Sequence, residues 1–134
     1  MIIKSFDIKK NIIENYNYFL LYGPNNGLIE EIIQNTLKPN LSKNLYGYDE
    51  EEILSNTDQF LNSIVNKSFF EDKKLIIINR ATDKIKIILE GIVERKIDDL
   101  TLIIKSNILD KKSKLRSYFE KTNETIIIPC YEDN

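Results

Sequence analysis

Two glycines, Gly23 and Gly27, stand between the apolar run Tyr18–Tyr22 and a segment with helical spacing from Leu28 onward. Strand, tight turn and helix in that order is the layout of a phosphate-binding loop. There, backbone N–H groups cradle phosphates, a lysine reaches the terminal phosphates and a hydroxyl holds Mg²⁺. Counted from Gly23, the pattern G-x-x-x-x-G-K-[ST] asks for glycine, lysine and hydroxyl where the chain has Leu28, Ile29 and Glu30. Isoleucine carries no charge. A carboxylate at a helix N-terminus suits the helix dipole but repels a triphosphate. The layout of a nucleotide site is present without its chemistry.

The other requirements of hydrolysis are also missing. A metal-binding acid should follow a second apolar strand, yet Leu75–Ile78 is followed by Asn79, Arg80 and Ala81, and the first acid is Asp83, better used as a helix cap. A phosphoacceptor receiver domain fails likewise, because Tyr22–Gly23 and Asn79–Arg80 offer no strand-end aspartate. The chain has no histidine and one cysteine, Cys130. That removes Ser-His-Asp and Cys-His catalysis, an internal disulfide and His-ligated metals. No metal site, cofactor or catalytic residue is expected.

Two further stretches could make contacts. In Ser68-Phe69-Phe70, flanked by Asn66, Lys67, Glu71 and Asp72, adjacent aromatics cannot share one face of a strand. The ordinary reading packs both rings under a loop; the sharper one makes them an anchor, each ring worth roughly 1.5–3 kcal/mol in a partner's pocket. In Asp110–Arg116 the cations Lys111, Lys112, Lys114 and Arg116 cluster. They read either as a solvated helix start or as a contact to a phosphate backbone or partner. No aromatic is interleaved for base stacking.

The elements that must position these residues follow from patterning. The chain has 134 residues, 42% apolar and 30% charged, with net charge −2, which suits one domain with a real core. No apolar run is long enough to span a membrane, and the start lacks a signal peptide, so a cytoplasmic protein is expected. MIIKSF (Met1–Phe6) reads as a short edge strand, and Asp7 as the cap of a helix through Glu14. Tyr18–Tyr22 reads as a strand buried on both sides. Leu28, Ile29, Ile32, Ile33 and Leu37 form a helical stripe that Pro39 stops. Asn44–Tyr48 is a weaker strand, and Asp49–Glu52 opens a short helix. Thr57 or Asp58 caps another, which carries Phe60, Leu61, Ile64 and Val65. Asn66–Asp72 reads as a loop and Lys73–Asn79 as a strand. Thr82 or Asp83 opens a helix with Ile85, Ile88, Leu89, Ile92 and Val93 inward. Leu100–Ile104 is a strand. Asp110 caps a helix that turns Leu115, Tyr118 and Phe119 inward, and Thr125–Ile128 is the last strand. This alternation predicts an α/β domain with a mainly parallel sheet of about five strands and helices on both faces. A functional crevice is expected at the carboxyl ends of the strands, where the Gly23 loop, Asn79–Arg80 and Lys105–Asn107 meet.

Three segments taken in order, FLLYGPNNGLIEEII, NKSFFEDKKLIIINRATDK and LTLIIKSNILDKKSKLRSYFEK followed by TIIIPCY, resemble the N-terminal domain of the delta subunit of the bacterial DNA polymerase III clamp loader. The likeness covers essentially the whole chain. It implies an AAA+-type, three-layer P-loop-like fold with a degenerate phosphate loop, and a subunit of a DNA-directed DNA polymerase complex that hydrolyses no ATP itself. It implies that the protein binds the ring-shaped sliding clamp (the beta subunit) and opens it during DNA replication. Ser68, Phe69 and Phe70 take the place of the family's clamp contact, with Phe69 where leucine is usual. The family's chains continue into a lid and a collar domain. Residues 1–134 therefore read as the first domain alone, with the other loader subunits held through the missing collar, DNA met only within the complex, and no membrane partner. The alternative is a divergent nucleotide-binding P-loop ATPase domain, which Ile29 and Glu30 oppose.

Overall fold

Every side chain of β1 (Tyr18–Tyr22) is buried, which is possible only for a strand with neighbours on both edges and helices on both faces. The computed structural model supplies these. It describes residues 1–41, 44–70 and 73–131, with side chains described at all of them except 67–70. With β2 (Leu45–Asp49), β3 (Lys74–Asn79), β4 (Leu100–Lys105) and β5 (Thr125–Pro129), β1 forms a five-stranded sheet in the order β2-β3-β4-β1-β5. All pairings are parallel. The register sets Phe19 beside Ile103 and Ile126, so apolar rows run across the sheet.

Alternation along each strand divides the core in two. Tyr18, Leu20, Tyr22, Ile76, Ile78, Leu102 and Ile104 face α3 (Glu50–Ser55), α4 (Thr57–Phe70), α5 (Lys86–Arg95) and α6 (Lys114–Lys121). Phe19, Leu21, Leu75, Ile77, Ile103, Ile126 and Ile128 face α1 (Lys10–Asn15), α2 (Asn26–Ile32) and the first residues of the chain. The result is the expected three-layer α/β domain. The inward stripe of α5 is as expected: Ile85, Ile88, Leu89, Ile92 and Val93 are all buried. Among the described residues no helix is long and apolar enough to cross a membrane.

Several local expectations are corrected. The strand expected at Met1–Phe6 is one bridge, Ile2 to Ile127. Pairing stops there because Ser5–Asp7 turns as a 3-10 helix. α1 then starts after Lys9 without a side-chain cap, so Asp7 caps nothing. Asn56, not Thr57 or Asp58, caps α4, its side chain accepting from the Gln59 N–H at 3.3 Å. α4 itself runs on to Phe70, where a loop from Asn66 was expected. Ser113, not Asp110, caps α6 by accepting from the Arg116 N–H at 3.1 Å. The acids after β2 do form the expected helix start, with Asp49 and Glu52 making a reciprocal capping box.

Candidate functional site

The Gly23 loop lies at the carboxyl ends of the strands, and several of its backbone donors are spent on the protein itself. Gly23 N–H donates to the Asn107 carbonyl at 3.1 Å, and Asn25 N–H to the Cys130 carbonyl at 3.2 Å. Asn26 N–H donates to Pro24, Ile29 N–H to the Asn25 carbonyl, and Leu28 N–H to the Asn25 side chain at 3.0 Å. Pro24 has no N–H to offer. Asn25 is the N-cap of α2, which places Gly27 inside the first turn of that helix instead of in the turn before it. Gly23 has φ +129°, and a Cβ there would overlap the Cys130 carbonyl. A glycine is required because the end of β5 passes so close. Burial pushes the Cys130 thiol up to about 12, so it stays protonated and inert.

The side chains at the diagnostic positions point elsewhere. Ile29 is 2% exposed and belongs to the core on the α2 face. Glu30 pairs with Lys105 at the end of β4. Arg80 pairs with Asp49 at 2.9 Å. A recess of about 300 Å³ lies between these groups, lined by Asn26, Ile29, Glu30, Asn79, Arg80, Lys105, Ser106 and Asn107. The three rim segments expected from the sequence are thus brought together, and both cations that reach the recess are already held by carboxylates. Lys105 as the partner of Glu30 is a contact no local pattern signals, since the two residues meet only through the strand order.

A second knot joins the β3–α5 and β4–α6 connections. Asp83 accepts from the Ser113 hydroxyl at 2.6 Å and the Leu115 N–H at 3.1 Å. Partial burial pushes its carboxyl up, but those bonds, a further one from Lys114 N–H and the Lys114 charge hold it below the usual value. Asp83 thus ties down the start of α6 and is no cap of its own helix; Thr82 is, accepting from the Lys84 N–H at 3.3 Å. The buried Glu50 accepts from the Thr82 N–H and hydroxyl, each at 2.8 Å. Asp110 accepts from Lys112 N–H at 2.8 Å, closing a turn. The basic cluster divides: Lys111, Lys112 and Lys114 are exposed. Arg116 lies over the Tyr22 ring at 5.3 Å, donates to the Leu109 carbonyl at 3.0 Å and pairs with Glu120. Burial pushes the Tyr22 phenol up, against the opposing pull of Arg116.

Ser68, Phe69 and Phe70 lie at the other end of the sheet. They form the last turn of α4, and β3 begins at Lys74. They therefore sit by the amino ends of the strands, about 16–20 Å of strand length from the Gly23 rim. Their side chains lie outside the described residues. Among the described residues, no cluster of His, Cys, Asp or Glu could hold a metal ion.

The model of one family, described as DNA polymerase III, delta subunit, matches residues 19–130. No curated protein matches the chain. The match runs from Phe19 in β1 through β5 and takes in α2 to α6, and the chain belongs to the DNA polymerase III delta-subunit family.

Proposed function

From membership of the DNA polymerase III delta-subunit family, we propose that this domain grips the sliding clamp with the last turn of α4. In this reading Ser68, Phe69 and Phe70 fill an apolar pocket on the clamp ring, and the neighbouring surface favours the opened ring. A binder can open the ring only by binding the open form more tightly than the closed one. The protein then works in DNA replication as a clamp-loader component in the cytoplasm, without hydrolysing ATP itself. It joins the other loader subunits through the lid and collar domains of the family, and meets DNA only inside that assembly.

The observation that carries this reading is the family match, which includes residues 68–70. The Gly23 rim supports it from the other side. Ile29 is core, Glu30 is paired with Lys105, and the Gly23, Asn25 and Leu28 N–H groups are engaged with Asn107, Cys130 and the Asn25 side chain. The nucleotide-binding alternative finds no favouring observation there. Calorimetric titration of the chain with its clamp, wild type against Phe69→Ala/Phe70→Ala, tests the proposal. Loss of binding with an unchanged melting temperature is expected. Equal affinity for the two proteins would remove the anchor.

A further inference from the structure

We propose that the recess between the β3–α5 and β4–α6 connections docks an acidic segment of a protein partner that carries one apolar side chain. This surface lies at the carboxyl rim, away from Phe69 and Phe70. The recess holds about 590 Å³ and is walled by Arg80, Lys84, Ile108, Asp110 and Lys112, among others. That volume suits a short peptide segment.

Two properties define the occupant. Ile108 is 64% exposed on the wall of this recess, whereas its neighbour Leu109 is buried. An isoleucine held out on a connection pinned by Asp83, Ser113 and Asp110 offers an apolar contact that the fold does not use. Lys84 and Lys112 line the recess with it, and Lys111 and Lys114 flank Lys112 along the chain; all four are exposed and without an ion pair among the described residues. Arg80 is neutralised by Asp49. Asp83 and Asp110 also line the recess while accepting from Ser113, Leu115 and Lys112, so the four lysines are set against two carboxylates. A chain of net charge −2 thus carries a locally cationic surface with an apolar centre. Charge complementarity of this kind steers and selects an acidic partner. A phosphate backbone would satisfy the lysines but leave Ile108 uncovered. An acidic peptide with an apolar side chain satisfies both.

The test uses the 134-residue chain and fluorescence anisotropy with a labelled peptide, EEDLEED, its analogue EEDSEED, and a short DNA duplex as competitor. The leucine peptide is expected to bind about tenfold more tightly than the serine analogue. Ile108→Ser, a change at an exposed site, should remove that advantage, and Lys111→Ser/Lys112→Ser should weaken both peptides. The Phe69→Ala/Phe70→Ala protein should bind the leucine peptide unchanged, so this proposal and clamp gripping fail separately. Equal binding of the two peptides, insensitivity to Ile108→Ser, or displacement by the duplex at lower concentration than by unlabelled peptide would mark a general polyanion surface. Self-association that depends on Ile108 would mark a contact between copies. Either result, or no binding at millimolar peptide, overturns the proposal.

Discussion

The two ends of the sheet are built differently. At the carboxyl rim the protein binds itself: Gly23 to Asn107, Asn25 to Cys130, Glu30 to Lys105, Arg80 to Asp49, Asp83 to Ser113. At the amino rim, the end of α4 brings Ser68-Phe69-Phe70 to the start of β3 with two adjacent aromatics in one helical turn. In a strand such a pair would point to opposite faces. On a helix, successive residues are about 100° apart around the axis. The Gly23 loop is needed by the fold, because it carries the chain from β1 into α2 and clasps the end of β5.

The widest break between the rims should come from Phe69→Ala/Phe70→Ala. At roughly 1.5–3 kcal/mol for each ring, clamp affinity should fall by about two to four orders of magnitude while the urea midpoint holds. An affinity loss below tenfold in calorimetry would count against the division. Gly23→Ala should act in the reverse sense. The added methyl meets the Cys130 carbonyl in a backbone conformation that suits glycine, and stability should drop by about 2–4 kcal/mol. Clamp binding per folded molecule should persist. A urea midpoint equal to wild type would show that the clasp is not needed.

Asp83→Asn keeps an acceptor oxygen but removes the charge at the start of α6, and gives a smaller, pH-dependent effect, about 0.3–1 kcal/mol at neutral pH. The folded-state pKa of Asp83 lies below the unfolded value. The stabilisation it brings is therefore full above the unfolded pKa and disappears as pH falls through the depressed one. Wild-type and variant stabilities should converge in acid; a constant gap down to the lowest pH at which the fold survives would contradict the charge-based account. Smallest is Glu30→Gln, where the pair with Lys105 is about half exposed on the glutamate side and should be worth about 0.2–1 kcal/mol. With Mg²⁺-ATP neither wild type nor this variant should show a rise in melting temperature. A rise in the wild type would restore a nucleotide role to the rim.

The sequence showed the architecture because β1, β3, β4 and β5 are near-continuous apolar runs, and only a sheet covered on both faces buries such segments. The departure from the phosphate-loop pattern was equally legible, since Ile29 and Glu30 occupy fixed positions in a local pattern. Caps were harder. Asn56, Thr57 and Asp58 follow one another, and Asp110 and Ser113 stand close in sequence with only Lys111 and Lys112 between them; which one accepts depends on the backbone angle at entry. Tertiary partners were not legible. Glu30 meets Lys105, and Glu50 meets Thr82, only once strand order is fixed. Nor did composition separate Arg116, which stacks on Tyr22, from the three exposed lysines beside it. The end of α4 misled because Asn66–Asp72 is polar at its flanks, while the aromatics between them continue the helix to Phe70.

The strand order carries a cost during synthesis. β1, the first strand made and fully apolar, has only β4 and β5 as neighbours. Everything from Gly23 to Asp99 must leave the ribosome before either edge of β1 can be covered by its proper partner. At roughly 5–20 residues per second that is on the order of 4–15 s. Throughout this interval an uncovered YFLLY segment is open to chaperones and to mispairing, and β2 and β3 can pair with each other well before the centre of the sheet exists.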